Sequence, residues 1–181
     1  ERVTVEVLAW QAVERESSLS LTLVQALQAG DKMDLTVQKA VELGVSRIVP
    51  VASRRSVLRL EGERAAQRLA HWRGVVASAC EQCGRNRLPE VTAIEKLERW
   101  LARPMADTAM RLMLAPEAGQ SLADLTAPTD GRRIELLIGA EGGLAPEEME
   151  QAAAAGFVPI RLGPRILRTE RYVAVTMPEF S

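Results

Sequence analysis

The sequence lacks the features that would place it outside ordinary globular domains. It has no long uninterrupted apolar run, so no stretch is suited to span a membrane as a helix. It also has no basic stretch followed by an apolar run near its N-terminus, as a secretory signal would. The chain begins with Glu1 rather than Met, and we therefore expect either a fragment or a processed form of a longer protein. Its 181 residues suffice for one domain with a substantial core.

Cysteine and histidine are scarce, which argues against metal and redox chemistry. Cys80 and Cys83 form one CxxC pair, and His71 is the single histidine. These three residues cannot complete the four ligands of a structural zinc site, so we predict no metal. The pair falls at the C-terminal end of a predicted helix, where the helix dipole disfavours a thiolate. We therefore expect Cys80 to pack in the core and the protein to reside in the reducing cytoplasm.

Charge is nearly balanced overall but unevenly distributed. The net charge is −1, yet the segment 47–87 contains nine arginines and three glutamates, a local charge of +6. A basic block in a neutral protein is typical of polyanion binding. Arg64, Arg68 and Arg73 fall on a predicted helix and are equally well explained as a solvated face. Arginines in loops are better candidates for contacts with a polyanion, because loops present side chains to solvent.

The pattern of apolar residues predicts an α/β domain. Val3, Val5 and Val7 alternate with polar residues, as in a half-buried strand over 2–10. Further on, predicted strands alternate with predicted helices, as in a parallel sheet. The predicted strands are 18–27, 45–51, 110–116, 133–139 and 157–163. The predicted helices are 31–44, 63–82, 94–102 and 145–156.

A glycine-rich loop lies between the strand at 133–139 and the helix at 145–156. It contains Gly139, Gly142 and Gly143, and backbone N–H groups at such a helix start favour an anion. However, no lysine follows the glycines, their spacing is not GxGxxG, and Glu141 would repel a polyphosphate. The loop therefore favours a ligand such as an adenosine that carries a sulfonium. The alternative is a tight turn that needs positive φ at several glycines.

A second glycine-bearing segment follows the next strand. Gly163 and Pro164 predict a turn, after which Arg165, Arg168, Thr169 and Glu170 are crowded together. Loops at the carboxyl ends of neighbouring parallel strands face the same crevice. We therefore predict that the loop at 139–143 and the segment 162–169 form one ligand site.

Five motifs together resemble one family of enzymes. They are GDKMDLTVQKAVELGV, SRRSV, ACEQCGRNRLPE, LIGAEGGL and LGPRILRTE, and they resemble the RsmE family of the SPOUT superfamily. Members of that family methylate N3 of a uridine in 16S ribosomal RNA. The resemblance implies a parallel sheet with helices on both faces, a C-terminal trefoil knot, bound S-adenosylmethionine and a homodimer. It also implies that residues 1–12 are a remnant of a PUA-like barrel and that 13–181 form the methyltransferase domain.

The resemblance also implies site residues by motif. The cofactor-binding residues would be Leu114, Ile138, Gly139, Glu141, Gly142, Gly143, Leu162, Gly163, Leu167, Arg168 and Thr169. The RNA-binding residues would be Arg54, Arg55, Gln82, Arg85, Asn86 and Arg87. Arg168 and Arg85, with Arg54 and Arg55 as alternatives, would stabilise the uracil anion. The proton would go to Glu170, Glu81 or Glu141, and the sequence does not decide among them.

The C-terminus departs from the family pattern. Arg171 stands where the family has a small or hydroxyl-bearing residue, and Pro178 would break a helix, so we expect an altered tail and an incomplete knot. Two other functions remain open at this point. One is an RNA-binding module without catalysis, and the other is a nucleotide-binding α/β protein that uses the glycine loop for phosphate.

Overall fold

The computed structural model describes residues 3–9, 13–17, 19–104, 109–125, 133–163 and 169. A sheet of seven strands runs through these residues, and every strand pair is parallel. The strands are β1 Ser20–Ala26, β2 Arg47–Ala52, β3 Glu90–Val91, β4 Glu95–Lys96, β5 Ala109–Leu114, β6 Arg133–Ile138 and β7 Val158–Ile160. Their order is β3-β2-β1-β6-β5-β7, and β4 pairs with β2. The predicted parallel α/β class is confirmed.

Helices cover both faces of the sheet, as predicted. They are α1 Lys32–Glu42, α2 Gly62–Cys83, α3 Leu97–Leu101 and α4 Pro146–Ala154, and a 3-10 turn spans Leu122–Asp124. Side chains alternate along β1. Leu23 packs in a cluster with Trp72 of α2, whereas Val24 packs in a second cluster with Leu97 of α3. The apolar stripe of each helix therefore covers one face of β1.

The strand register brings the carboxyl ends of the strands to one edge, which we call the carboxyl edge. Ala26 of β1 is level with Val51 of β2, and Gln25 is level with Ile138 of β6. Leu114 of β5 is level with Ile160 of β7. From β1 the chain first builds β2 to β4 on one side and then crosses to β5 and β6 on the other. The β1–β6 boundary is thus the switch point where α/β sheets place their ligands.

The predicted N-terminal strand is wrong. Residues 3–9 have no regular secondary structure, and the side chains of Val3, Val5 and Val7 are all more than 80% exposed. Alternation alone does not make a strand, because a strand needs a paired neighbour and a surface that covers its apolar side. The domain boundary after residue 12 stays a prediction. The predicted knot, Arg171 and Pro178 depend on residues outside the described part of the chain.

Candidate cofactor and RNA site

The three glycines of the loop after β6 are needed to different degrees by the backbone geometry. A Cβ on Gly139 would lie 2.6 Å from the carbonyl carbon of Gly143, so the backbone leaves no room for a side chain there. Gly143 has a φ of +71°, which favours glycine. A Cβ on Gly142 would contact only the Arg55 side chain, at 3.4 Å. Gly142 is also not among the glycines with a positive φ. The turn geometry therefore requires glycine at 139 and 143 but not at 142.

Glu141 in this loop is bound to the start of α1. Its Oε1 accepts hydrogen bonds from the backbone N–H of Ala29 at 3.1 Å and from Lys32 Nζ at 3.0 Å. Burial opposes the charged form, but the bonds from its own backbone N–H, from Lys32 and from Ala29 prevail and lower the pKa of Glu141. A carboxylate with a lowered pKa is a weaker base. Glu141 is therefore a poor candidate for the proton acceptor, which narrows the prediction.

The segments after β5 and β7 are joined by backbone hydrogen bonds. Ala115 N–H donates to the Ile160 carbonyl at 2.9 Å, and Arg161 N–H donates to the Gln120 carbonyl at 2.9 Å. Leu114 and Leu162 are half-buried beside this junction, and Gly163 is exposed with a φ of +66°. These two predicted cofactor segments thus form one continuous part of the carboxyl edge.

Thr169 connects the second glycine-bearing segment to the glycine loop. Its hydroxyl donates to the Ala140 carbonyl at 3.1 Å, and the residue is 7% exposed. The segments predicted to converge therefore lie together at Thr169. Leu167, Arg168 and Glu170, together with Arg165, lie outside the described residues. Ile138 is 1% exposed, so its side chain belongs to the core and only its backbone can face a ligand.

Two predicted RNA-binding arginines lie beside the glycine loop. They follow β2 in a turn that is held by the hydroxyls of Ser53 and Ser56, 2.9 Å apart. Arg55 Nη1 donates to the Gly142 carbonyl at 2.7 Å. The Arg54 side chain is about half exposed and contacts Glu147 at 3.4 Å. The loop after β2 therefore presents both guanidinium groups at the carboxyl edge.

Glu148 fixes this arrangement, and the sequence interpretation missed its role. It is 1% exposed, its Oε1 accepts from the Arg54 N–H at 2.8 Å, and its Oε2 accepts from the Ala145 N–H at 2.9 Å. The contact with Ala145 is the one that a glutamate at the third helical position makes in a capping box, but the N-cap residue is alanine, so the sequence lacks the Ser or Thr that signals this motif. The contact with Arg54 spans 94 residues, and no local pattern predicts it.

Arg85 lies apart from the glycine loop, and its predicted catalytic and RNA-binding roles stay predictions. Its side chain is 5% exposed. Nη1 donates to the carbonyls of Val41 at 2.8 Å and Val45 at 2.9 Å, while Nε and Nη2 bind the carboxylate of Glu16. Val41 lies in the last turn of α1 and Val45 lies between α1 and β2, so both carbonyls are at the amino edge of the sheet, opposite the glycine loop. Within this chain the guanidinium stabilises the fold.

The other predicted RNA contacts after α2 lie at the same amino edge. Gln82, Asn86 and Arg87 are exposed, and Arg87 forms an exposed ion pair with Glu14 at 2.9 Å. A cavity of about 330 Å³ lies there, lined in part by Ser46 and Leu88. The basic block thus supplies two separate surfaces, one at each edge of the sheet. The RNA-binding roles of Gln82, Asn86 and Arg87 stay predictions.

The described residues also bear on the cysteines and on membrane insertion. Cys80 is buried, and burial raises the pKa of its thiol, as expected of a core cysteine. No cluster of three metal-ligating side chains occurs in the described ranges. Within the same ranges no helix has the length and apolarity that a membrane crossing requires.

Comparison with known proteins identifies the class of protein to which this fold and site belong. A family model described as an RNA methyltransferase domain matches residues 15–177. The ribosomal RNA small subunit methyltransferase E of Buchnera aphidicola (subspecies Schizaphis graminum) is 36% identical over 171 residues, which cover 94% of this chain and 68% of the relative. The Bacillus subtilis protein of the same name is 30% identical over 177 residues, with the same coverage.

A solved structure agrees with this assignment. The ribosomal RNA small subunit methyltransferase E from Neisseria gonorrhoeae, bound to S-adenosyl methionine, is 40% identical and superposes with a TM-score of 0.85. The match covers 93% of this chain and 68% of that one, so the chain spans about two thirds of the length of these relatives. The chain belongs to the ribosomal RNA small subunit methyltransferase E family.

Proposed function

We propose that this chain is the catalytic part of an S-adenosylmethionine-dependent methyltransferase that methylates N3 of a uridine in 16S ribosomal RNA. One observation carries the proposal: the Thr169 hydroxyl and the glycine loop meet at the carboxyl edge, in a chain that is 40% identical to a protein crystallised with this cofactor. We further propose that it acts on the small ribosomal subunit, in the cytoplasm and as a homodimer.

The residues at this edge fit a sulfonium nucleoside better than a phosphate. Residue 142 is glycine although the turn does not require glycine there. This is consistent with close approach of a ligand to the backbone. Leu114 and Leu162 offer half-buried apolar surface for an adenine ring. Glu141 is held ionised by its lowered pKa and takes up the Lys32 ammonium at 3.0 Å, so this lysine is not free to bind a phosphate as a P-loop lysine does. When bound, the cofactor supplies a methyl group on positively charged sulfur.

The chain must make uridine N3 nucleophilic and hold it in line with that methyl group. Uridine N3 carries a proton at neutral pH, so a general base contributes, typically by about 10²- to 10⁴-fold. Correct positioning contributes up to about 7–11 kcal/mol. Of the three candidate bases, Glu141 has a lowered pKa and Glu81 lies near the end of α2 toward the amino edge. We therefore propose Glu170 as the base.

Arginines would stabilise the uracil anion that forms as the proton leaves. Arg55 is held at the glycine loop by the Gly142 carbonyl, and a guanidinium has further N–H donors for O2 or O4 of the base. Arg168 is the second candidate, on the resemblance alone. Arg54, with its half-exposed side chain, is suited to a phosphate of the RNA. The target base would leave its stack to reach this edge, as in other base-modifying enzymes.

Isothermal titration with S-adenosylhomocysteine and, separately, with ATP tests the ligand class. We expect heat with the first compound and none with ATP. The reverse result would support the phosphate-binding alternative, and no heat with either would favour an RNA-binding module. Incubation with small ribosomal subunits and labelled S-adenosylmethionine, followed by nucleoside mass spectrometry, then tests the reaction. The expected product is N3-methyluridine, and a different methylated nucleoside would refute the proposed target atom.

A further inference from the structure

Gln25 is a polar residue in a row that is otherwise apolar. Along β1 it shares a face with Leu21 and Leu23, and Leu27 continues the row into the same core cluster. Its side chain is 0% exposed. Strands of a parallel sheet that is covered on both faces usually carry apolar residues at such positions. The amide of Gln25 is therefore unusual for a residue that serves only the core.

The amide is also only partly hydrogen-bonded. Gln25 Nε2 donates to the carbonyls of Ala26 at 2.9 Å and Gly139 at 3.2 Å. Its Oε1 is buried and has no hydrogen-bond partner among the described residues. A buried acceptor without a partner destabilises the folded state. Because an apolar side chain of the same length would avoid that loss, core packing alone does not explain the glutamine.

The contact with Gly139 gives the amide a second role. Gly139 is the first residue of the glycine loop and has no room for a Cβ. Because the peptide group is planar, a bond that fixes the Gly139 carbonyl also fixes the direction of the Ala140 N–H. The Ala140 carbonyl in turn accepts from the Thr169 hydroxyl at 3.1 Å and from the Gly143 N–H at 2.8 Å. Gln25 thus supports the peptide group that immediately precedes the one on which both predicted cofactor segments meet.

We propose that Gln25 is a positioning residue for the cofactor loop. It orients the peptide group between residues 139 and 140 from the core side. It does so without contacting the cofactor, because its side chain is completely buried. The inference rests on the proposed function and adds to it a residue from β1, a strand that carries none of the predicted site residues. A change at Gln25 should therefore weaken cofactor binding more than it changes the stability of the fold.

Gln25→Met removes the amide and preserves the length and shape of the side chain. We expect the dissociation constant for S-adenosylhomocysteine to rise about tenfold, the scale of one lost hydrogen bond, with little change in the KM for RNA or in the midpoint of urea unfolding. Gln28→Leu combined with Thr36→Val is the matched control. It removes another fully buried amide, whose Nε2 has no partner among the described residues and whose Oε1 accepts from the Thr36 hydroxyl at 2.7 Å; this amide does not contact the glycine loop.

The outcomes separate this inference from the proposed function. Normal binding by both the wild type and Gln25→Met would overturn the positioning role and leave the methyltransferase proposal intact. A wild type that binds no S-adenosylhomocysteine would overturn both. Equal loss in Gln25→Met and the control would also overturn the positioning role. Should Gln25→Met not fold, the side-chain amide resonance of Gln25 in the wild type must shift on addition of S-adenosylhomocysteine, and an unmoved resonance overturns the inference.

Discussion

Arg55 Nη1 donates a 2.7 Å hydrogen bond to the carbonyl oxygen of Gly142. This contact joins the loop after β2 to the loop after β6, across β1, which lies between them in the sheet. Glu148 supports the same junction from α4 through the backbone N–H of Arg54. An exposed guanidinium is therefore held at the candidate cofactor loop, where its remaining N–H donors can meet an anionic base or phosphate.

Arg55→Ala should reduce methyl transfer and leave the fold intact. The substitution removes the charge at the glycine loop, so we expect kcat/KM for the ribosomal subunit to fall about 10- to 100-fold. The slope of RNA binding against salt should decrease by about one unit. Arg64→Ala, an exposed arginine on α2, is the matched control for general charge. Equal effects in the two variants would mean that Arg55 acts only through the overall charge of the protein.

Gly142→Ala and Gly139→Ala should separate ligand binding from folding. A methyl group on Gly142 meets only the Arg55 stem, so unfolding free energy should change by about 0.5 kcal/mol or less. We nevertheless expect affinity for S-adenosylhomocysteine to fall at least about tenfold, because the proposed cofactor packs against the backbone of this loop and the added methyl group displaces the Arg55 stem beside it. Gly139→Ala should instead destabilise the fold by about 1–3 kcal/mol or more, since its Cβ would overlap backbone atoms. Calorimetric titration and urea unfolding measure the two effects, and unchanged affinity in Gly142→Ala would place residue 142 outside the site.

The sequence predicted the longer elements well because their periodicity is local, whereas the two-residue strands β3 and β4 are too short to show a period and were not predicted. The alternation of strands and helices and the carboxyl-edge position of Gly139 and Thr169 follow from this local periodicity. The position of Arg85 also follows from the element order, because a helix between parallel strands runs back along the sheet, so the residues after α2 must lie at the amino edge. The contacts of Gln25 with Gly139 and of Glu148 with Arg54 join segments 114 and 94 residues apart. Such contacts depend on tertiary packing, which no single stretch of sequence encodes.

Arg85→Ala should destabilise the protein rather than change its RNA contacts. The change leaves Glu16 and the Val45 carbonyl without the Arg85 donor in a nearly buried position, while the Val41 carbonyl keeps only the Gly44 N–H. We expect a loss of about 3–5 kcal/mol in the free energy of unfolding, measured by urea denaturation. Arg87→Ala, which removes an exposed ion pair with Glu14, should cost less than about 1 kcal/mol. Similar unfolding curves for the two variants would contradict the structural role of Arg85.

Glu141 should make the stability of the protein depend on pH in the acid range. Its pKa in the folded chain is lowered below the ordinary value of 4.5, because hydrogen bonds from its own N–H, Lys32 and Ala29 outweigh the effect of burial. The stabilisation is therefore complete above the unfolded pKa and is lost as the pH falls through the folded pKa.

The Glu141→Gln variant isolates this contribution. Because Lys32 is 45% exposed, the ion pair should contribute only about 0.5–1 kcal/mol at neutral pH. The difference in unfolding free energy between wild type and Glu141→Gln should be constant from about pH 7 to pH 5 and shrink below about pH 4.5. Urea denaturation at a series of pH values measures it, with Glu150→Gln on the exposed side of α4 as the control. A difference that stays constant to low pH would mean that the carboxylate charge of Glu141 does not stabilise the loop, since only the ionised form gains from Lys32.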